Sequence, residues 1–195
     1  MPKGLETRER ILDRAFRIAG RDGLGGLTLA TLATGLGMSK SGLFAHFRSK
    51  EELQLQVLQT ATVRFQDAVV VPALRAPRGV PRLKKLFDGW LRWMSDPALP
   101  GGCLFIAAAT ELDDKEGKPR ELVATGQRQL RDTIARLARG AIEEGQARRD
   151  LDCEQFAFEL FAITLAYNHD KRLLRDTRPE ARARAAFARL LADAA

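Results

Sequence analysis

Cysteine is scarce in this chain: there are two among 195 residues, Cys103 and Cys153, fifty positions apart. They form no Cys-x-x-Cys pair and no Cys/His spacing, which excludes a zinc finger and a disulfide scaffold. Long apolar runs are missing as well. No stretch approaches the ~18 uncharged apolar residues of a membrane span. The densest candidate, Val69-Val70-Val71, is soon followed by Pro72 and Arg75. Glu6 and Glu9 interrupt the start before an apolar secretory region can form. Charge of one sign does not dominate either, because 32 Lys+Arg face 25 Asp+Glu for a net +7. With 45% apolar and 29% charged residues, extensive disorder is excluded. The expectation is a reduced, cytoplasmic, soluble protein of one domain or two small ones, away from membranes. The basic balance permits a nucleic-acid partner without establishing one.

Strand-like alternation is nearly absent, and helical periodicity fills almost every segment. The spacing predicts a first helix over about Leu5 to Asp22, with Ile11, Leu12, Ala15, Phe16 and Ala19 on its apolar face. The glycines of Gly23-Leu24-Gly25-Gly26 end it. Thr28 stands where an N-cap belongs, before a short helix that Gly37 breaks. Ser39 caps a second short helix running to about Phe47. Ser49-Lys50-Glu51-Glu52 is a capping box, with Ser49 at the N-cap and Glu52 at N3. It opens a long helix predicted to stop near Pro72. Further helices are expected over about 80–95, 103–112, 119–144, 152–175 and 179–195, nine in all. The predicted fold class is all-α. The predicted domains are an N-terminal three-helix helix-turn-helix domain, 1–53, and a C-terminal helical ligand-binding and dimerisation domain, 54–195.

The segment Thr28 to Phe47 carries the sharpest signal. A helix-turn-helix needs a small residue where the helices cross, a residue tolerant of positive φ in the turn, and an apolar residue closing the core. Ala33, Gly37 and Leu43 fill those places at spacings of four and six, and Leu36 and Met38 bracket the turn. The open side of the second helix carries Lys40, Ser41, Ala45 and His46, small side chains and a cation suited to a major groove. An ordinary αα-hairpin would show the same spacing.

The wider run Gly-Met-Ser-Lys-Ser-Gly-Leu-Phe-Ala-His-Phe-Arg-Ser-Lys-Glu-Glu-Leu, residues 37 to 53, resembles the signature of the TetR family of bacterial transcriptional regulators. Arg8, Ile11, Leu12, Ala15 and Phe16 in the first helix and the Gly-Leu-Thr entry at 26–28 extend the resemblance. Gly101-Gly102-Cys103-Leu104-Phe105 and Glu111-Leu112-Asp113-Asp114 look like one branch of that family. The resemblance implies a homodimeric, ligand-responsive DNA-binding repressor, released from a palindromic double-stranded operator by a small apolar or aromatic effector. It implies that Thr28 and Ser39 cap helices and donate to phosphates. Lys40, Ser41 and Gly42 then approach base edges, and Ser49 and Lys50 clamp a phosphate at a helix N-terminus. His46 matches a frequent family histidine near the DNA backbone, and it reads equally as a structural histidine. Phe44 departs from the pattern, because the family usually has a tyrosine there whose hydroxyl touches a phosphate. That departure keeps open a second reading, a helical small-molecule-binding protein with weak or lost operator binding.

The charge distribution adds little. Residues 1–53 hold nine Lys/Arg and six Asp/Glu, and the remainder holds 23 and 19, so the excess is not confined to the reading head. The second section offers a candidate effector site. Phe87, Trp90 and Met94 share one helical face with Trp93 beside it, and Leu104, Phe105 and Ala108 follow on the next helix. Such a cluster is either plain core or the lining of an apolar cavity. Gln129, Phe161, Leu165 and Asn168 are assigned to the same space. Cys103 follows two glycines at a helix start, where a thiol is either activated or simply buried. Two apolar stripes mark the helix near 152–175: Phe156, Leu160, Ile163 and Tyr167 on one, Phe158, Phe161, Leu165 and Ala162 on the other. The dimer interface is assigned to the first stripe together with Phe187, Leu190 and Leu191. No cofactor and no metal site is expected. Asp113-Asp114 and His169-Asp170 have no spacing that joins them, and no nucleophile–base pair or phosphate-binding glycine loop appears, so an enzyme is not expected.

Overall fold

The computed structural model describes residues 3–44, 46–99 and 101–195, and only the backbone of residues 3–6, Lys40 and Phe44. Among the described residues there is no strand. Nine continuous helices follow one another: α1 Lys3–Gly26, α2 Leu29–Leu36, α3 Lys40–Phe44, α4 from Lys50–Phe65 through a π-turn at Gln66–Val70 into Val71–Leu74, α5 Val80–Ser95, α6 Leu104–Leu112, α7 Lys118–Glu143, α8 from Cys153–His169 into a π-turn at Asp170–Leu174, and α9 Pro179–Asp193. None of them is long and apolar enough to cross a membrane.

The first helix breaks at Gly23, whose φ of 77° and ψ of 171° are non-helical, as the glycine cluster leads one to expect, and then makes one more turn to Gly26. The fourth reaches Leu74, two residues past Pro72. The π-turn just before it widens the helix, which relieves the clash a proline ring makes with the preceding turn.

The chain folds into two compact units. The first comprises residues 1–64 and 96–126, the second residues 65–95 and 127–195. The first unit therefore takes in α6 and the start of α7 along with the helix-turn-helix. Its core holds Ile11, Ala15, Phe16, Leu24, Leu32, Leu43, Phe47, Leu53 and Val57, all buried. At its edge the Arg64 guanidinium lies 4.8 Å from the Phe16 ring and donates to Asp13 at 3.0 Å.

The second unit is built on aromatic packing. Phe65 meets Trp90 and Trp93 edge-on, at 5.8 and 5.6 Å between ring centres. Phe87 stacks on Phe187 at 4.2 Å. Gly89 allows α5 to close on the π-turn of α4, where its Cβ position lies 3.5 Å from the Val69 Cα. Two of the unit's helix starts are capped by side chains, one from afar and one from nearby. The Val80 N–H donates to the Gln146 side chain at 2.7 Å, and the Gln155 N–H to Asp152 at 2.9 Å.

Candidate nucleic-acid interface

The reading head is assembled by local hydrogen bonds that its sequence dictates. Thr28 Oγ1 accepts from the Thr31 N–H at 3.0 Å, and Thr31 Oγ1 accepts from the Thr28 N–H at 3.1 Å. This reciprocal cap fixes the first turn of α2. At the other end Gly37 sits at φ 63° and ψ 28°, the left-handed region that glycine enters freely. The Met38 N–H reaches back to the Ala33 carbonyl at 3.1 Å and closes the turn. Ala33 is 5% exposed and Leu43 fully buried, so the crossing and the core closure lie where the spacing of four and six puts them.

Ser39 Oγ accepts from the Gly42 N–H at 3.1 Å and lies 3.1 Å from Ser41 Oγ. Ser39 and Ser41 are both exposed at the start of α3, with Gly42 half-buried beside them. The side chains of Lys40 and Phe44 and all of Ala45 lie outside the described residues, so their expected roles have no geometry here. His46 is half-buried, its ring tilted 49° against Phe47 at 6.4 Å. The Arg8 guanidinium lies 5.5 Å from the centre of the Phe47 ring and donates to Gln56 at 2.8 Å.

At the start of α4, Ser49 Oγ accepts from the Glu52 N–H at 3.0 Å. The return arm is offset by one residue: the Glu52 carboxylate accepts from the Arg48 N–H at 2.9 Å rather than from Ser49. Lys50 is exposed, and its Nζ donates to the Gly25 carbonyl at 3.1 Å. An ammonium has three donors, so the others stay free to face a phosphate.

Contacts that the sequence did not signal hold the entry to α2. The break at Gly23 strips the next amides of their helical acceptors. Glu111, half-buried on α6, takes both: the Leu24 N–H donates to its Oε1 at 3.0 Å and the Gly25 N–H to its Oε2 at 2.7 Å. Gln54 donates to the Leu24 carbonyl at 2.8 Å. Glu51 accepts from the Lys118 N–H at 3.3 Å. Gly101 lies against the Gly20 carbonyl so closely that a side chain on Gly101 would occupy the same space.

Two sequence patterns match the chain. "Bacterial regulatory proteins, tetR family" matches residues 11–57, and "Tetracyclin repressor-like, C-terminal domain" matches residues 79–187. The chain belongs to the TetR family. It is a TetR-type transcriptional regulator in fold, with an N-terminal helix-turn-helix and a C-terminal helical domain. Among solved structures, a TetR transcriptional regulator from Chloroflexus aurantiacus J-10-FL is 27% identical, with a TM-score of 0.87 over 98% of this chain and 96% of that one. E. coli NemR in its reduced form is 20% identical, with a TM-score of 0.81 over 97% of each chain. The ketosteroid regulator KstR2 of Mycobacterium tuberculosis is 20% identical, with a TM-score of 0.70 over 96% and 94%. No curated protein matches the chain by sequence.

The effector and dimer residues expected from the sequence divide differently from their assignment. Cys103, Leu104, Phe105 and Ala108 belong to the first TetR unit; Phe87, Trp90, Trp93, Met94, Gln129, Phe161, Leu165 and Asn168 belong to the second. Within the second unit, Trp90 meets Phe161 at 5.6 Å, and Asn168 lies two turns further along the same face of α8. Trp90 Nε1, Trp93 Nε1 and Asn168 Oδ1 are buried, with no hydrogen-bond partner among the described residues. Gln129 and Leu165 are exposed, and the buried Phe87 ring stacks on Phe187. Cys103 is buried, and burial pushes the Cys153 thiol above its usual range.

The dimer assignment is corrected for five residues. Phe156, Leu160, Tyr167, Phe187 and Leu190 are buried within the single chain and form its own core. Ile163 and Leu191 are half-buried. Both stripes of α8 are equally apolar in sequence, and only packing decides which turns inward. The outward stripe is Phe158, 51% exposed, and Leu165, 39% exposed, with Ala162 and Ala166 between and beside them.

Proposed function

We propose that this TetR-family protein is a homodimeric repressor that reads a palindromic duplex with α3 and is released by a neutral, partly aromatic effector. The observation that carries the DNA half is the start of α3. Capped by Ser39, it presents Ser41 outward with the half-buried Gly42 next to it, and Lys50 is exposed at the start of α4. Small residues at the N-terminus of a recognition helix let its backbone approach base edges, while the flanking lysine anchors the phosphates. Selection of duplexes from a random library with the full chain tests it, and recovery of no preferred sequence would favour a ligand-binding protein that has lost its operator. With the selected duplex, Lys50→Ala should weaken binding to all sequences about equally and lower the salt slope by about one. An unchanged slope would remove Lys50 from the interface.

The effector half is supported by the unpartnered polar atoms of the second unit. A buried donor left without an acceptor costs about 1–3 kcal/mol. An effector that offers an acceptor to the Trp90 or Trp93 indole N–H and a donor to Asn168 would recover that loss, and the aromatic surroundings would exclude a charge. Acetophenone should therefore bind more tightly by titration calorimetry than ethylbenzene, which has a similar shape and no acceptor. Trp90→Phe and Trp93→Phe together should erase the preference. Equal binding of the two probes to the wild type would count against the assignment. Repression requires that a bound compound lower DNA affinity, with coupling on the order of 1–3 kcal/mol.

A further inference from the structure

We infer that Glu111 is a positioning residue for DNA reading: from α6 it fixes the entry of the helix-turn-helix by accepting the Leu24 and Gly25 N–H groups. This rests on the DNA-binding reading above. The two residues are 87 and 86 positions away in sequence, so the bonds join segments that are remote along the chain. The need for acceptors is built in by Gly23. Its non-helical ψ of 171° starts a new turn, and the first amides of a new turn have no intrahelical partner. A carboxylate has two oxygens and can satisfy both donors at once, with charge-assisted bonds.

The same two residues are also held by α4, through their carbonyls. Gln54 donates to the Leu24 carbonyl at 2.8 Å and Lys50 to the Gly25 carbonyl at 3.1 Å. The segment 24–25 is therefore a node between α6 and the very lysine proposed to hold a phosphate. Immediately downstream, the Gly26 carbonyl accepts from Thr31 Oγ1 at 3.3 Å, inside the cap of α2. Releasing Glu111 would free the node, the start of α2, and with it the seating of α3. The backbone contact of Gly101 with Gly20 docks the same segment one turn earlier. Whatever displaces residues 101–112 would act on the head through this carboxylate.

Electrostatics alone predicts the opposite sign. Removing a negative charge from a DNA-binding head should tighten binding to every sequence. The positioning role predicts weaker binding to the selected duplex only. The test compares the wild-type full chain, Glu111→Ala and Glu111→Gln on the selected duplex and on a scrambled one, with amide hydrogen exchange at Leu24 and Gly25. Glu111→Ala should lose roughly tenfold in affinity for the selected duplex, within the 5–150-fold usual for coupled sites. Affinity for the scrambled duplex should stay level or rise. Both amides should exchange faster. Glu111→Gln keeps one acceptor oxygen and should fall between the two, which guards against an Ala variant that fails to fold. Unchanged discrimination in both variants, or an equal loss on both duplexes, overturns the proposal. A wild type that selects no duplex overturns the reading beneath it and the proposal together, while preserved exchange protection in Glu111→Ala would refute the clasp alone.

Discussion

Gly101→Ala should unfold or displace the 101–112 segment of the first unit, whereas Gly37→Ala should cost little beyond backbone strain. The two glycines are required for different reasons. At Gly101 the conformation is open to other residues, but a Cβ would fall inside the Gly20 carbonyl, which belongs to the helix backbone and has no rotamer to change. The segment must move away from α1, and overpacking of that kind costs about 1–3 kcal/mol or more even where side chains can yield. We expect a loss of more than about 3 kcal/mol at this site, or roughly 6–12 °C in melting temperature for a chain of this length. At Gly37 nothing among the described residues lies within 4 Å of the Cβ position, and the φ of 63° is what opposes a side chain. That strain is about 1–2 kcal/mol, and Gly37→Asn should cost less because asparagine enters the left-handed region more readily. Thermal melts of the three variants decide the matter. Equal losses at Gly101 and Gly37 would mean that the Gly20 contact opens without penalty.

The contrast between these glycines also marks what the sequence can tell. Gly37, Thr28, Ser39 and Ser49 act on neighbours within about four residues, so their roles follow from type and spacing. Each cap is found where it was expected, apart from the one-residue offset of Glu52. Gly101 and Glu111 act on residues some eighty positions away, and no periodicity encodes such an approach. Glu111 looked only like a family-branch residue, and its partners become visible once α6 lies against the end of α1. Pro72, by contrast, marks the end of the fourth helix to within two residues, because a proline's effect on the helix is local. The effector residues stand between these cases. That Trp90, Trp93 and Met94 would be buried was legible from their shared face. That the indole N–H groups and the Asn168 carbonyl would be left unpartnered was not, because hydrogen bonding depends on every surrounding element.

The inversion of the two stripes on α8 yields the other large expected effect. Leu160 is fully buried and Leu165 is 39% exposed, although both are leucines on the same helix, five residues apart. Leu160→Asp should abolish folding, since a charge buried without a partner costs about 3–5 kcal/mol, a large share of a domain's stability. Leu165→Asp should leave the protomer folded, because surface substitutions usually stay within about 0.5 kcal/mol. If a second copy covers the outward stripe, Leu165→Asp should instead abolish assembly. The stripe is suited to that occupant. Phe158 offers a large ring, with the Arg131 guanidinium 5.4 Å from its centre, and Ala162 and Ala166 let a second helix approach closely. A shallow groove continues from Ile163 and Ala166 to Ala183, Ala186 and Arg189 on α9, which extends the small-residue surface across both helices. An isologous contact places the same patch on both partners, so one substitution removes two faces at once and the effect doubles. Sedimentation at micromolar concentration, with circular dichroism as the control for folding, should therefore find a dimeric wild type, a folded monomer for Leu165→Asp and Phe158→Asp, and no folded species for Leu160→Asp. A folded dimer in both outward-stripe variants would return the interface to another face of the helix pair, and a monomeric wild type would remove the twofold reading of a palindrome altogether.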